Sequence, residues 1–243
     1  MTRLDTGVVL RELDGVAELK HAEQFQKLVW GEDDPSDNSD LMLAIQHEGG
    51  LVAGAFEDGR MLGFLFGFPT SQPHVQHSHR LAVHPDSRGL GLGERLKWFQ
   101  RDWCLKRGIT LVRWTFDPLR RINAGLNIAR LGGSAETYYE DYYGEMPGIN
   151  AGVPSDRLLV DWDLTAPRVV SLAQGSQTRQ PNPTEDGLRV EIPRDLDNLL
   201  ASDPARAVSE RLRVRKAVTS AFAKGHKITG FDARTCCYLF GPR

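Results

Sequence analysis

The chain has 243 residues, enough to bury a sizeable core either as one large domain or as a main domain with a smaller appendage. Its 30 Lys and Arg stand against 32 Asp and Glu, a formal charge of −2, so there is no global positive field to draw nucleic acid or an anionic membrane surface. No run of about 18 apolar residues occurs and the N-terminus lacks the apolar segment of a signal peptide, so a cytoplasmic protein with no membrane and no nucleic-acid partner is expected. Cys104 and the adjacent Cys236 and Cys237 are an odd set, poor for disulfides, and read as reduced thiols. Neither CxxC nor HExxH is present, and no metal is expected.

Residues 14 to 30, "DGVAELKHAEQFQKLVW", place Val16, Leu19, Phe25, Leu28 and Val29 as one face of a helix would. The following "GEDDPSDNSD" is acidic, but Pro35 and Ala44 fall where an EF-hand needs acids, and it reads as a solvated turn. Ser39 or Asp40 is expected to cap a second helix through Gln46, closed by Gly49 and Gly50. Two apolar runs then flank Asp58-Gly59, a strong hairpin signal.

A strand is expected from Val75 to Val83, with His77, His79, Leu81 and Val83 on one face unless a bulge intervenes. Leu92, Leu96, Phe99 and Trp103 mark a helix that Gly108 closes. "ITLVRWTF" is a strand covered on both faces. Asp117 then caps a helix starting at Pro118, with Leu119, Ile122, Leu126 and Ala129 as its buried stripe. Strand, helix, strand, helix implies a parallel pair built on a crossover.

"ETYYEDYYG" and "RLLVDWDL" read as later strands around the loop "EMPGINAGVPSD". Residues 165–187, rich in Gln, Ser, Thr and Pro, read as a linker. Beyond it, residues 188–243 read as a small α+β appendage with a basic helix, from "DPARAVSERLRVRKAVTSAFAKG", and strands "LRVEIP", "HKITGF" and "CCYLF". Arg211 and Arg215 share a face of that helix, and with Glu210 diluting the charge it reads as a solvated face.

The chemistry concentrates in "HSHRLAVHPDSRGLGLGERL", residues 77–96. Glycines between a strand and a helix permit positive φ and close ligand approach, and the helix start offers unpaired N–H groups and partial positive charge. The spacing matches neither the dinucleotide-binding GxGxxG nor the P-loop ending Gly-Lys-Ser/Thr. What remains is Val83-x-Pro85-x-x-Arg88-Gly89-x-Gly91-x-Gly93, with Arg88 placed to add charge-assisted hydrogen bonds to an anion.

This pattern resembles the pyrophosphate loop of the GNAT superfamily of acyl-CoA-dependent N-acyltransferases, Gln/Arg-x-x-Gly-x-Gly/Ala after a strand of the "LAV" type. The order of the neighbours, a hairpin before and "ITLVRW" with a helix ending "ARLGG" after, extends the resemblance over roughly residues 8–164. It implies an α/β fold with a mixed, strongly twisted central sheet flanked by helices over residues 1–164. It also implies acetyl-CoA or another acyl-CoA as co-substrate and a small-molecule or peptide amine as acceptor, with a homodimer left open.

By the same resemblance, main-chain groups of Leu81, Ala82 and Val83 would hold pantetheine, and the N–H groups of Arg88, Gly89, Leu90, Gly91, Leu92 and Gly93 would hold pyrophosphate. Asn123 and Asn127, four apart, would share a helix face towards the pantetheine arm. His77 and His79 are candidate general bases, since a free imidazole titrates at about 6.5. They resemble paired histidines of arylalkylamine N-acetyltransferases in the same superfamily. The general-acid tyrosine that many members carry falls here on Ile128, which leaves Tyr138 and Tyr142, expected on one strand face, as substitutes. The loop "GINAGVPSDR" is expected to border the acceptor pocket. Two rivals stay open: a catalytically silent acyl-CoA sensor, and a scaffold whose tail recruits a partner.

Overall fold

A computed structural model of the protein describes residues 7–144, 153–175 and 187–243. The chain divides into two compact units, residues 1–112 and 113–243. Both are α/β, built on mostly antiparallel strands flanked by helices.

The first unit runs β1 (Val9–Glu12), α1 (Gly15–Trp30), α2 (Ser39–His47), β2 (Leu51–Glu57), β3 (Arg60–Pro69), β4 (Val75–Val83), a 3-10 turn at Pro85–Ser87 and α3 (Leu92–Leu105). Its strands lie in the order β1-β2-β3-β4, each antiparallel to the next. The β2–β3 hairpin turns on Asp58 and Gly59, at φ 48° and 79°, the left-handed pair that suits the right-handed twist of a two-residue hairpin. Leu19, Ala22 and Phe25 of α1 and Met42 of α2 pack with Val52, Phe56, Phe64, Phe66 and Ala82 into one apolar core. Val16 and Leu28, expected in the α1 stripe, are exposed, because the buried arc runs through Leu19, Ala22, Phe25 and Gln26. The cap of α2 is Asn38, whose side chain accepts from the Leu41 N–H at 2.7 Å, one residue earlier than expected.

A bulge does intervene in β4. Gly67 pairs with Ser78 and Phe66 with Arg80, so His79 has no opposite number on β3. The extra residue reverses the alternation. Gln76 and Ser78 before it, and Leu81 and Val83 after it, face α3, while His77 and Ala82 face the α1/α2 side. The histidines therefore do not share a face with Leu81 and Val83 as the unbroken period would require.

The second unit contains most of β5 (Leu111–Phe116), then α4 (Arg121–Ala124) running into a π-helical turn at Gly125–Arg130, β6 (Ser134–Tyr139), β7 (Arg157–Asp163) and α5 (Pro167–Ala173). It continues through β8 (Arg189–Glu191), α6 (Leu196–Ser202), α7 (Pro204–Ala223), β9 (His226–Asp232) and β10 (Cys237–Pro242). The strand order is β5-β7-β6-β9-β10-β8, with β9 meeting β6 at Ala135 and Ile228. Trp114 and Trp162 meet edge to face at 6.0 Å, and Trp162 Nε1 donates to the Leu131 carbonyl at 2.8 Å.

Asp117 does not cap a helix: it accepts from the Leu119 N–H at 2.9 Å in a turn, and the helix begins only at Arg121, after Arg120. Leu119 is buried as expected, but Ile122 is 70 % exposed, and Ala124, Asn127, Ile128 and Leu131 are buried instead. The i→i+5 bond from Leu131 N to Leu126 O fits one extra residue into the turn and rotates the stripe away from a 3.6-residue period. Helix α5 stands in the first part of the stretch read as a linker, and residues 176–186 lie outside the described ones.

Helix α6, unmarked by strong periodicity, is capped by Asp195 accepting from Asn198 N–H, and α7 by Asp203 accepting from Arg206 N–H behind Pro204. The face of α7 expected in solvent points inward. Arg211 is 2 % exposed and forks onto Asp117 at 2.8 and 3.1 Å, and Arg215 holds Asp156. Cys104, Cys236 and Cys237 are free and buried.

Candidate active site

The strand β4, the glycine turn and α3 form one continuous piece of the first unit, and most candidate residues lie on it. After Ser87 the chain extends at Arg88, then turns through Gly89 and Gly91 at φ 87° and 73°. An L side chain is strained at both angles, and a Cβ at either would meet no atom within 4 Å, so the turn presents open main chain. Gly91 is the N-cap of α3 and makes no side-chain cap bond. The first helical hydrogen bond is Arg95 N–H to Gly91 O, so the Leu92, Gly93 and Glu94 amides lie in the first turn, ahead of the helical ladder. Arg88 and Leu90 are exposed, Leu92 is buried, and Gly93 lies over Leu81 and Val83. Leu81, Ala82 and Val83 are paired on β3 through Leu65, Phe64 and Gly63. A glycine turn at a helix start is suited to holding an anion.

His77 and His79 are brought together on the other face, their ring centroids 6.2 Å apart. Phe68 stacks on His77 at 4.9 Å, and Phe66 meets His79 edge-on at 5.8 Å. His79 Nε2 lies 3.3 Å from Asp37 Oδ1. With the proton of a neutral ring on Nε2, facing the carboxylate, Nδ1 is the nitrogen left to accept one. Asp37 is held in turn by Arg80 Nε at 3.0 Å, and Arg80 also reaches Asp34 at 2.6 Å and the Pro35 carbonyl, with its guanidinium over Trp30. The acidic turn is thus an ordered clamp on β4 rather than a merely solvated loop. Asp37 and Arg80 were not legible as site residues: Asp37 precedes His79 by 42 positions, and only the fold brings them together.

Beside this pair, Ala44, Ile45, Glu48, Phe68 and Pro69 line a cavity of about 290 Å³, at the small end of ligand sites. Phe68 is common to the cavity wall and to the His77 stack.

The remaining candidates belong to the second unit. Asn127 is buried while Asn123 is exposed, so the two do not share a face. The Tyr138 hydroxyl donates to Asp156 Oδ2 at 2.7 Å, and burial, with that carboxylate, pushes it well above the ordinary phenol range. Tyr142 lies beyond the end of β6, where Asp141 turns at φ 44°, and stacks on Tyr139 at 4.8 Å instead of lining up with Tyr138. Ile128 is fully buried. In the loop expected at the acceptor pocket, residues 148–152 lie outside the described ones; Ser155 and Asp156 tie its far end to Asp141. Among the described residues no group of three His, Cys, Asp or Glu side chains converges as a metal site would, and no helix is long and apolar enough to cross a membrane.

Residues 16–124 match the Acetyltransferase (GNAT) family model. No curated protein matches the chain in sequence. Among solved structures, the fold is similar to the ribosomal-protein-S18-alanine N-acetyltransferase of Escherichia coli, with TM-score 0.52, 18 % identity, and coverage of 65 % of this chain and 94 % of that one. It is also similar to yncA of Salmonella typhimurium, solved with its cofactor acetyl-CoA, with TM-score 0.54, 17 % identity, and coverage of 66 % and 96 %. An N-acetyltransferase from Staphylococcus aureus gives TM-score 0.54, 14 % identity, and coverage of 66 % and 100 %. At these identities the likeness is one of fold.

Proposed function

We propose, from the premise that residues 16–124 form an acetyltransferase domain of the GNAT family, that the protein moves an acetyl or other acyl group from CoA to a primary amine by direct attack on the thioester. The observation that carries this reading is the juxtaposition, on one strand–turn–helix piece, of an open glycine turn and a carboxylate-oriented imidazole.

In this reading the Arg88–Gly93 turn and the first turn of α3 hold the pyrophosphate, and the Leu81–Val83 main chain holds the pantetheine arm. His79, oriented by Asp37, takes a proton from the acceptor ammonium, directly or through water, and His77 is the alternative acceptor. The freed amine attacks the thioester carbonyl carbon. The C–N bond forms, the nitrogen gives up its second proton to water, the C–S bond breaks, and the thiolate leaves to take a proton from solvent. Tyr138 supplies no obvious acid, because its hydroxyl already donates to Asp156. Most of the acceleration then comes from positioning two substrates and removing one proton.

The apolar cavity beside Phe68, with Glu48 on its wall, supports an acceptor that carries its ammonium on an apolar arm. The test is thiol release from acetyl-CoA with a panel of aliphatic, aromatic and polycationic amines, beside calorimetric binding of acetyl-CoA. Turnover with any of them supports transfer. Binding without acceptor-dependent turnover at any pH would establish a sensor instead, and absence of binding would refute both.

A further inference from the structure

Lys97 is buried at 2 % exposure in the face that α3 turns towards β4. Its Nζ donates to Ser78 Oγ at 3.0 Å and to Gln100 Oε1 at 2.7 Å. Ser78 Oγ also donates to Gln100 Oε1 at 3.2 Å, Gln100 Nε2 donates to Gln76 Oε1 at 2.6 Å, and Cys104 Sγ reaches the same oxygen at 3.3 Å. Five side chains, three from α3 and two from β4, form one buried polar network. The β3 residue opposite makes room for it. A Cβ on Gly67 would stand 3.0 Å from both Gln100 Nε2 and Gln76 Oε1.

Burying an amine is costly even when it is hydrogen-bonded, and apolar side chains would join a helix to a sheet at no such cost. What the network adds is direction. Its two β4 members, Gln76 and Ser78, flank His77 and end where the bulge begins at His79. Beyond the bulge, the side-chain-free Gly93 of the same helix lies over Leu81 and Val83. The polar bonds therefore fix the histidine-bearing half of β4 to the helix whose first turn is the glycine cradle.

We propose that Lys97 is a positioning residue: through Ser78, Gln100 and Gln76 it clamps α3 to β4 and sets where His77 and His79 stand relative to the glycine turn. Its importance for transfer rests on the function proposed above; its effect on the imidazoles does not. Burial pushes the Lys97 ammonium down to about 7, so near neutrality a large share of the amine is uncharged, still able to donate two hydrogen bonds.

The test is histidine-resolved NMR on Lys97→Met, with Ser78→Ala as the smaller lesion should the first fail to fold. The clamp predicts that the His77 and His79 ring signals move while those of His21 and His47 stay. It also predicts that in turnover kcat with the best amine falls at least about tenfold while the KM for acetyl-CoA changes less than about threefold. Unmoved His77 and His79 signals in a folded variant would overturn the clamp whether or not any amine is acylated. Moved signals without turnover in the wild type would leave the clamp standing and remove the transferase reading.

Discussion

The Arg215 guanidinium holds the fully buried Asp156 carboxylate at 2.9 Å from Nε and 2.6 Å from Nη2. Tyr138 donates to the same carboxylate, so helix α7 is bound to the β6–β7 region by a desolvated, fully engaged acid. Removing one partner of such a pair strands a buried charge. Arg215→Ala is expected to destabilise the protein by about 3–5 kcal/mol in urea unfolding. Glu140→Gln, which removes the solvent-facing partner of the same arginine at 3.0 Å, should cost less than about 1 kcal/mol. Equal losses would refute the ranking by burial.

At the glycine turn, Gly91→Ala meets no steric obstacle, so its cost is the left-handed backbone, about 1–2 kcal/mol. Gly91→Glu adds a carboxylate at the proposed anion cradle. Acetyl-CoA affinity measured by calorimetry should fall at least about tenfold, or ~1.4 kcal/mol, for the glutamate variant. An affinity that both variants leave intact would move the pyrophosphate elsewhere.

If His79 is the base, His79→Ala should lower kcat by roughly 10²-fold or more at neutral pH. Asp37→Asn, which keeps the shape but not the charge facing Nε2, should lower it less. The KM for acetyl-CoA should hardly change in either. A loss seen only in His77→Ala would transfer the role to that ring.

The Lys97 amine supplies a pH signature of stability. Its folded value, about 7, lies below the ordinary lysine range near 10.5 because burial disfavours the charge. Between those values the unfolded chain binds more protons than the folded one, so stability rises with pH through that window and is lost as pH falls towards 7. Cys104, pushed up to about 12 by burial, works oppositely above about 9, because there the folded chain keeps a proton the unfolded one loses. The clean window is therefore pH 7 to 9. Wild type should gain stability there relative to Lys97→Met, by at most ~1.4 kcal/mol per pH unit. A constant difference across the window would mean that Lys97 does not titrate in the fold.

Ile45→Trp fills part of the cavity beside Phe68. It should raise the KM of amines with apolar arms several-fold and leave small hydrophilic amines unaffected. A uniform effect on all amines would place the acceptor elsewhere.

Short-range chemistry made much of the fold legible. Asp58-Gly59 demands a particular hairpin, Asp117 accepts the amide two residues on, and the glycines before α3 admit a left-handed turn whatever surrounds them. The candidate site was legible only where it uses such local backbone. The faces were not: one bulge residue in β4 and one π turn after α4 each reset a side-chain period, and neither has a composition signal. Tyr138 and Tyr142 parted company for a similar reason, a left-handed Asp141 where no glycine announced a turn.

By itself the sequence determined that a strand, a glycine turn and a helix follow one another from Val75 to Leu105, because positive φ, capping and apolar spacing act within a few residues. Only the tertiary structure decided that Asp37 faces His79, that Phe68 underlies His77 and that Lys97 lies buried against Ser78. Those partners lie 9 to 42 positions apart. Which pairs meet depends on how β3, β4 and α3 pack, and a single bulge residue settles the face each side chain takes.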